Sequence, residues 1–209
     1  MSEKLDGIRG VWDGQNLYTK KAKLLYPPKS FIKHMPPFSI DGELWTVRDD
    51  FENIQSIIMD KTPSTKWNDI KFMIFEVPNA KGNFSTRLNK LKKWLETNHT
   101  NKIQIIPQIV CKDTDHLNSF LEDIIKLKGE GVIIKDPSLD YHTGRSSHIL
   151  KVKKFHDMEG IVVGINFRKD SKLMKSLKLK LENGVVFNLG GGFTKNGKPK
   201  FASFLRVRE

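Results

Sequence analysis

Apolar and polar residues recur along the chain with two periods, about two and about 3.6, and the changes of period divide it into strands and helices. In "GIRGVWDGQNLYT", Ile8, Val11 and Leu17 are strand positions, and Asp13-Gly14 marks a hairpin turn. Pro27-Pro28 and Pro36-Pro37 bracket a loop-rich segment, and "FSIDGELW" is a short apolar strand carrying two acids. "DDFENIQSIIMDK" predicts a helix capped by Asp50, with Phe51, Ile54, Ile57 and Ile58 on one face. "IKFMIFEVP" is a continuous apolar run stopped by Pro78, hence a buried strand. Leu88, Leu91, Trp94 and Leu95 follow at helical spacing, with Ser85 as the expected N-cap. "KIQIIPQIV" predicts a strand, Asp115 the cap of a helix running through Leu127, and "GVIIK" and "ILKVKKF" two more strands. This order predicts an α+β domain with mixed and antiparallel sheets over residues 1–154.

After Phe155 the pattern contains strands only: "EGIVVGINF", "SLKLKLENGVVFNL" and "PKFASFLRVR". Leu177, Leu179 and Leu181 alternate with Lys178 and Lys180, and Asn183-Gly184 supplies a hairpin turn. A small barrel-type β unit over residues 155–209, with one apolar and one basic face, is the expectation. Gly190-Gly191-Gly192 reads as a turn in it rather than a phosphate loop, because no helical pattern follows.

Composition narrows the partners. The 209 residues carry a net charge of +12, with 29% charged and 38% hydrophobic residues. That excess points to a polyanion, most simply nucleic acid. A lysine-rich surface that binds nothing is the competing account, since lysine is spread over the whole chain. The one cysteine, Cys111, reads as a small core residue and leaves no intrachain disulfide. No apolar run is long enough to span a membrane, and the six histidines show no metal-site spacing.

The stretch "EKLDGIR" crowds Lys4, Asp6 and Arg9 around a glycine. A solvated charge cluster is the bland reading; a nucleophilic Lys4 is the sharp one. A lysine that attacks a phosphoanhydride needs a neutral amine with other cations nearby. It also needs carboxylates for Mg²⁺, an aromatic ring to stack on a base and lysines to hold the reacting phosphate. The chain offers each in order: Asp41 and Glu43 in "DGEL", Phe75 in "FMIFEVP", Glu130 in "EGVIIK", then Lys135, and Lys151 with Lys153 on one strand face in "LKVK". Singly each is weak, since "LKVK" alone is more often a solvated face and Phe75 alone more often core. Five in sequence are improbable by chance.

"EKLDGIRG", "IDGEL", "FMIFEVP", "EGVIIK" and "LKVK" resemble the ordered motifs of the covalent nucleotidyltransferases: ATP-dependent DNA ligases, RNA ligases and capping enzymes. "EGVIIKDP", "YHTGRSSHILKVKKFHDMEGIVVG" and "KPKFASFLRVR" resemble DNA ligases most, in particular the minimal bacterial E-type. The resemblance implies a nucleotidyltransferase domain (ATP-grasp-like) followed by an OB-type barrel, here shortened. It implies ATP and Mg²⁺ (or Mn²⁺) as cofactors and nicked double-stranded DNA as partner, with a monomer and no membrane. Lys4 would take AMP, Asp6 and Arg9 would support it and contact ribose or nick phosphate, and Glu3 would lie by the adenine. Glu43 would bind ribose or metal, Phe75 would stack on adenine, and Glu130 would hold metal. Lys135, Lys151 and Lys153 would serve the nucleotide phosphates. Arg206 and Arg208 would orient pyrophosphate; Arg9, Lys20, Arg145, Lys178 and Lys180 would meet DNA. Lys20 stands where the family's Ser-Arg-x-Gly motif has arginine, which keeps the charge but loses the bidentate fork.

The rival readings are an RNA ligase or capping-type nucleotidyltransferase, and a non-catalytic basic nucleic-acid-binding relative. Mere phosphate binding needs neither Glu43 nor Glu130, which favours the enzyme. Compartment stays open: the bacterial periplasm if a leader is removed, otherwise the cytoplasm.

Overall fold

The computed structural model describes residues 1–142, 144, 146–154, 159–169 and 172–190. The chain divides into two compact units, Met1–Lys154 and Phe155–Glu209.

The first unit holds two sheets. The larger has strand order β3-β2-β4-β5-β6, built from β2 (Ile8–Trp12), β3 (Leu17–Thr19), β4 (Ile40–Trp45), β5 (Lys71–Glu76) and β6 (Ile103–Ile105). All its pairs are antiparallel except β5 with β6. The smaller has order β1-β7-β8, from β1 (Ser2–Lys4), β7 (Gly131–Lys135) and β8 (Ile149–Val152). The helices are α1 (Lys29–Ile32), α2 (Phe51–Met59), α3 (Phe84–Thr97) and α4 (Thr114–Lys126).

Alternation along the strands decides what each face carries. Ile8, Trp12, Ile40, Leu44, Phe72 and Ile74 join Ile54, Ile57 and Ile58 of α2 and Leu88 and Leu91 of α3 in the main core. The intervening residues, Arg9, Asp41, Glu43, Trp45, Met73 and Phe75, are left for the opposite face. There Leu5, Met73 and Ile106 form a second small core with Trp45 and Phe75 beside it. Val132 packs with Met1, Leu121 and Ile124, so α4 covers one face of the small sheet.

Several expectations shift. Asp50 does stand at the N-cap of α2, but its carboxylate accepts from Thr46 and Asn53 side chains rather than capping backbone N–H groups. Phe51 is exposed rather than part of the buried face. The cap of α3 is Asn83, not Ser85: its side chain accepts from Thr86 N at 3.0 Å, and the earlier start lets Phe84 be buried. Asp113 rather than Asp115 caps α4, accepting from His116 N at 2.8 Å. Asp115 falls in the first turn, where the helix dipole favours a carboxylate. The strand read through "KIQIIPQIV" stops at Ile105, two residues before Pro107, which cannot donate to a ladder. Cys111 is half-buried at the edge of the α4 core rather than inside it.

The hairpin at Asp13-Gly14 forms as read, with Gly14 at φ 109° and the Asp13 carboxylate accepting from Gln15 N and Asn16 N. In the turn after β3, Ala22 sits at φ 57°, a left-handed conformation costly for any residue with a Cβ. Ala22→Gly is expected to raise stability by about 0.5–1 kcal/mol, read as a higher urea midpoint at unchanged m-value.

In the second unit β9 (Gly160–Phe167), β10 (Met174–Leu181) and β11 (Val186–Gly190) form an antiparallel sheet in the order β11-β10-β9. Leu177, Leu179 and Leu181 are half-buried while Lys178 and Lys180 are exposed, as the alternation requires. Gly184 in the connecting turn has φ 83°. The described strands do not close into a barrel. "PKFASFLRVR", Gly191 and Gly192 lie outside the described residues.

Candidate active site

The small sheet presents its chemistry through register. Lys4 pairs with Gly131, and Ser2, Ile133 and Lys151 lie in one row. Lys4, Lys135 and Lys151 therefore share a face, and Lys153, two residues beyond Lys151, continues it. Gly131 is required between the outer strands: a Cβ there would stand 2.3 Å from Val152 O and 3.3 Å from Lys153 Cα.

On this face the Lys4 and Lys153 ammonium groups both bond the Glu130 carboxylate, one to each oxygen. Burial works against ionising Glu130, but the bonds from Lys153 and Lys4 outweigh it and hold its pKa below the ordinary range. Asp6 is pushed up, first by burial and then by the Glu130 charge, with Lys4 and Lys153 opposing. The Lys151 amine is pushed down, first by burial and then by Lys4, Lys20, Lys153 and Arg9, so five cations converge here.

The large sheet contributes the acids. Glu43 accepts a backbone hydrogen bond from Gly7, and its pKa is raised to about 7. Burial is the cause; Lys4 and Arg9 oppose it, and Glu130 adds to it. Arg9 grips Asp41 through two N–H···O bonds of 2.9 and 2.5 Å and lies 5.6 Å from the Phe75 ring centroid. Asp41 is 1% exposed, and its pKa is nonetheless raised, because burial outweighs the Arg9 bond.

Between its unfolded value near 4.5 and about 7, the folded Glu43 carboxyl keeps a proton that the unfolded chain has released. Stability therefore falls as pH rises through that window. Glu43→Gln removes this loss. Its stability relative to wild type is expected to climb from about pH 4.5 to about pH 7 and then level off, as urea melts across pH would show.

Not every expected site residue joins this cluster. Lys135 is turned to Glu76, at 3.0 Å, and to the Phe75 carbonyl, and stands 4.0 Å over the Phe84 ring. Glu3 has its carboxylate on Arg48, on the face opposite Lys4. Lys178 and Lys180 belong to the second unit. Arg145, Arg206 and Arg208 lie outside the described residues.

Three residues were not anticipated. Arg48 holds Glu3; Arg87 is buried on Glu76; and Tyr141 lies near Asp41 and Arg9, its phenol pKa raised by burial and then by Asp41. Tyr141 opens the "YHTGRSS" stretch, but nothing local in the sequence distinguishes either arginine.

Among the described residues no three of His, Cys, Asp and Glu converge into a ready-made cation cage. Two neighbouring carboxylates, Glu43 and Glu130, suit a Mg²⁺ that takes one or two protein oxygens and fills its shell with phosphate and water. A half-buried carboxyl as hard to ionise as Glu43 is one that a cation would ease.

Lys4 is thus bonded to Glu130, with Lys153 on the same carboxylate and Glu43 and Lys151 nearby, an arrangement with the charge to meet a phosphate group. Residues 14–153 match the ATP dependent DNA ligase domain, and the chain belongs to that family. A Haemophilus influenzae DNA ligase is 39% identical over 236 aligned positions, which take in all of this chain and 86% of that protein. A solved structure from a structure-function study of DNA binding by the minimal scaffold of Lig E DNA ligases superposes with a TM-score of 0.90 at 36% identity, covering 99% of this chain and 91% of that one. Chlorella virus DNA ligase-adenylate shares the fold at 22% identity, TM-score 0.62, with 95% of this chain and 80% of that one covered.

Proposed function

We propose that the protein seals 5′-phosphate/3′-hydroxyl nicks in duplex DNA at the expense of ATP. The observation that carries this is the meeting of Lys4, Glu130 and Lys153 on one sheet face, with Glu43, Arg9 and Lys151 around them.

The Lys4 amine, having given up a proton, attacks the α-phosphorus of ATP. A P–N bond forms, the bond to the β-phosphate oxygen breaks, and pyrophosphate leaves. The 5′-phosphate at the nick then displaces the lysine and takes the AMP. The 3′-hydroxyl attacks that activated phosphate, and AMP departs with its electron pair. Lys151 and Lys153 stabilise the charge that builds on the α-phosphate oxygens. Phe75, steadied by Arg9, stacks on the adenine, and Glu43 would bind the ribose or, with Glu130, would hold Mg²⁺. The metal, when bound, would neutralise charge on the triphosphate.

The β9-β10-β11 meander, with apolar and basic residues alternating, supports an OB-type second domain that lays Lys178 and Lys180 against DNA phosphates. Arg9 and Lys20 would add contacts from the first domain, and the enzyme would act as a monomer.

The test is a nicked duplex bearing a labelled 5′-phosphate, incubated with protein, Mg²⁺ and either ATP, GTP or NAD⁺. Conversion of the label to a phosphatase-resistant, sealed strand with ATP alone is the expected outcome. Sealing confined to an RNA nick, or activity with GTP but not ATP, would redirect the assignment to the RNA ligases or capping enzymes.

A further inference from the structure

The Lys4 strand is short and lies at the edge of its sheet: β1 has three residues and pairs with β7 alone among the described strands. A strand with so few ladder bonds opens easily unless something else holds it. Lys4 is its last residue, so any opening displaces the amine.

Glu3 precedes Lys4 and so points to the other face of the sheet. There its carboxylate is gripped by the Arg48 guanidinium through two parallel N–H···O bonds of 2.8 Å each, the strongest geometry available to such a pair. Arg48 comes from the loop between β4 and α2, which is itself braced: Thr46 Oγ1 and Asn53 Nδ2 both donate to the Asp50 carboxylate. The next residue, Asp49, stands 3.8 Å from Lys128, two positions before Glu130. Gly129 makes room for the arrangement, since a Cβ there would lie 2.9 Å from Glu3 Oε1. One loop of the large sheet thus touches both the strand that carries Lys4 and the turn that carries Glu130.

We infer that Arg48 is a positioning residue for Lys4: by clamping Glu3 it holds β1 where the Lys4 amine meets Glu130. The inference rests on Lys4 being the nucleophile. Arg48 and Glu3 are 32% and 16% exposed, and a pair so accessible adds little to global stability, so the effect is local. It also gives the Glu3 carboxylate a job that involves no contact with the base.

The test is the single-turnover rate of protein–AMP formation, measured on the full chain over a range of ATP concentrations. Arg48→Met is expected to lower the maximal rate about 10- to 100-fold, the loss that small misplacements of reacting groups produce. The ATP concentration giving half the maximal rate and the melting temperature should stay close to wild type. Arg48→Lys keeps the charge without the fork and should recover only part of the rate; it also carries the comparison if Arg48→Met folds poorly. Glu3→Gln should match Arg48→Met, and the double variant should be no slower than either single one, because both break the same link.

A rate for Arg48→Met within about twofold of wild type, a defect confined to ATP half-saturation, or losses that multiply in the double variant would each overturn the inference while leaving the Lys4 reading intact. A wild-type protein that forms no adduct would overturn that reading, and the inference with it.

Discussion

Lys4→Arg is expected to yield a folded protein that forms no covalent adduct with AMP and seals no ordinary nick. Lys4 bonds Glu130 with its side chain 20% exposed, and a guanidinium of similar reach can make the same ion pair. A structural role for Lys4 therefore predicts a nearly normal enzyme. A nucleophilic role predicts complete loss of the first step, because guanidinium stays protonated at any working pH and cannot attack phosphorus. The variant should retain activity on a nick whose 5′-phosphate already carries AMP, since that step needs positioning rather than the lysine nucleophile. Thermal melts would confirm that the loss is chemical, and rapid sealing of unmodified nicks by Lys4→Arg would contradict the assignment.

The second large effect concerns stability. Arg87 and Glu76 are among the most buried charged residues, at 2% and 3% exposed, and are joined by bonds of 2.8 and 3.0 Å. Lys135 shares the same carboxylate. Burial disfavours the Glu76 charge, but Arg87 and then Lys135 outweigh it and hold the pKa low. Arg87 Nη1 also donates to the carbonyls of Gly82 and Leu139, tying the segment after β7 to the start of α3. Arg87→Ala leaves a buried carboxylate half-compensated and two carbonyls without their donor. The expected cost is about 3–5 kcal/mol, seen as a large fall in urea midpoint at constant m-value. Because the Glu76 pKa is depressed, the network's contribution is present above the unfolded carboxylate range and is lost as pH falls through the folded value. The Arg87→Ala deficit should therefore shrink in acid.

The contrast between these two residues shows what the sequence could reveal. The cluster around Lys4 was legible because the chemistry proposed for that lysine demands a set of partners, and residues of those types occur in order along the chain. Period-two alternation was enough to put Lys151 and Lys153 on one face; that Arg9, Asp41, Glu43 and Phe75 lie opposite the main core came only from the strand pairing. Arg87 and Arg48 carry no such signature. Each is one of many cations, and what distinguishes it is a carboxylate 11 or 45 residues away that only the fold brings near. Lys135 differs from both: its place after "EGVII" suggests a nucleotide contact, and only the fold reveals that its amine also bonds Glu76 and the Phe75 carbonyl. The helix caps missed by two residues for a local reason. Asn83 and Ser85, like Asp113 and Asp115, are both good cap types, so cap preference alone does not choose between them; in α3 the earlier start buries Phe84.

The central claim, that Lys4 carries AMP, is tested most directly by mass spectrometry of the protein after incubation with ATP and Mg²⁺. The predicted result is a mass increase of one adenylyl group, located by fragmentation on Lys4, stable to denaturation, labile in acid as a phosphoramidate is, and discharged on addition of nicked DNA. An adenylyl group on any other residue, or nick sealing by a protein that never acquires one, would contradict it.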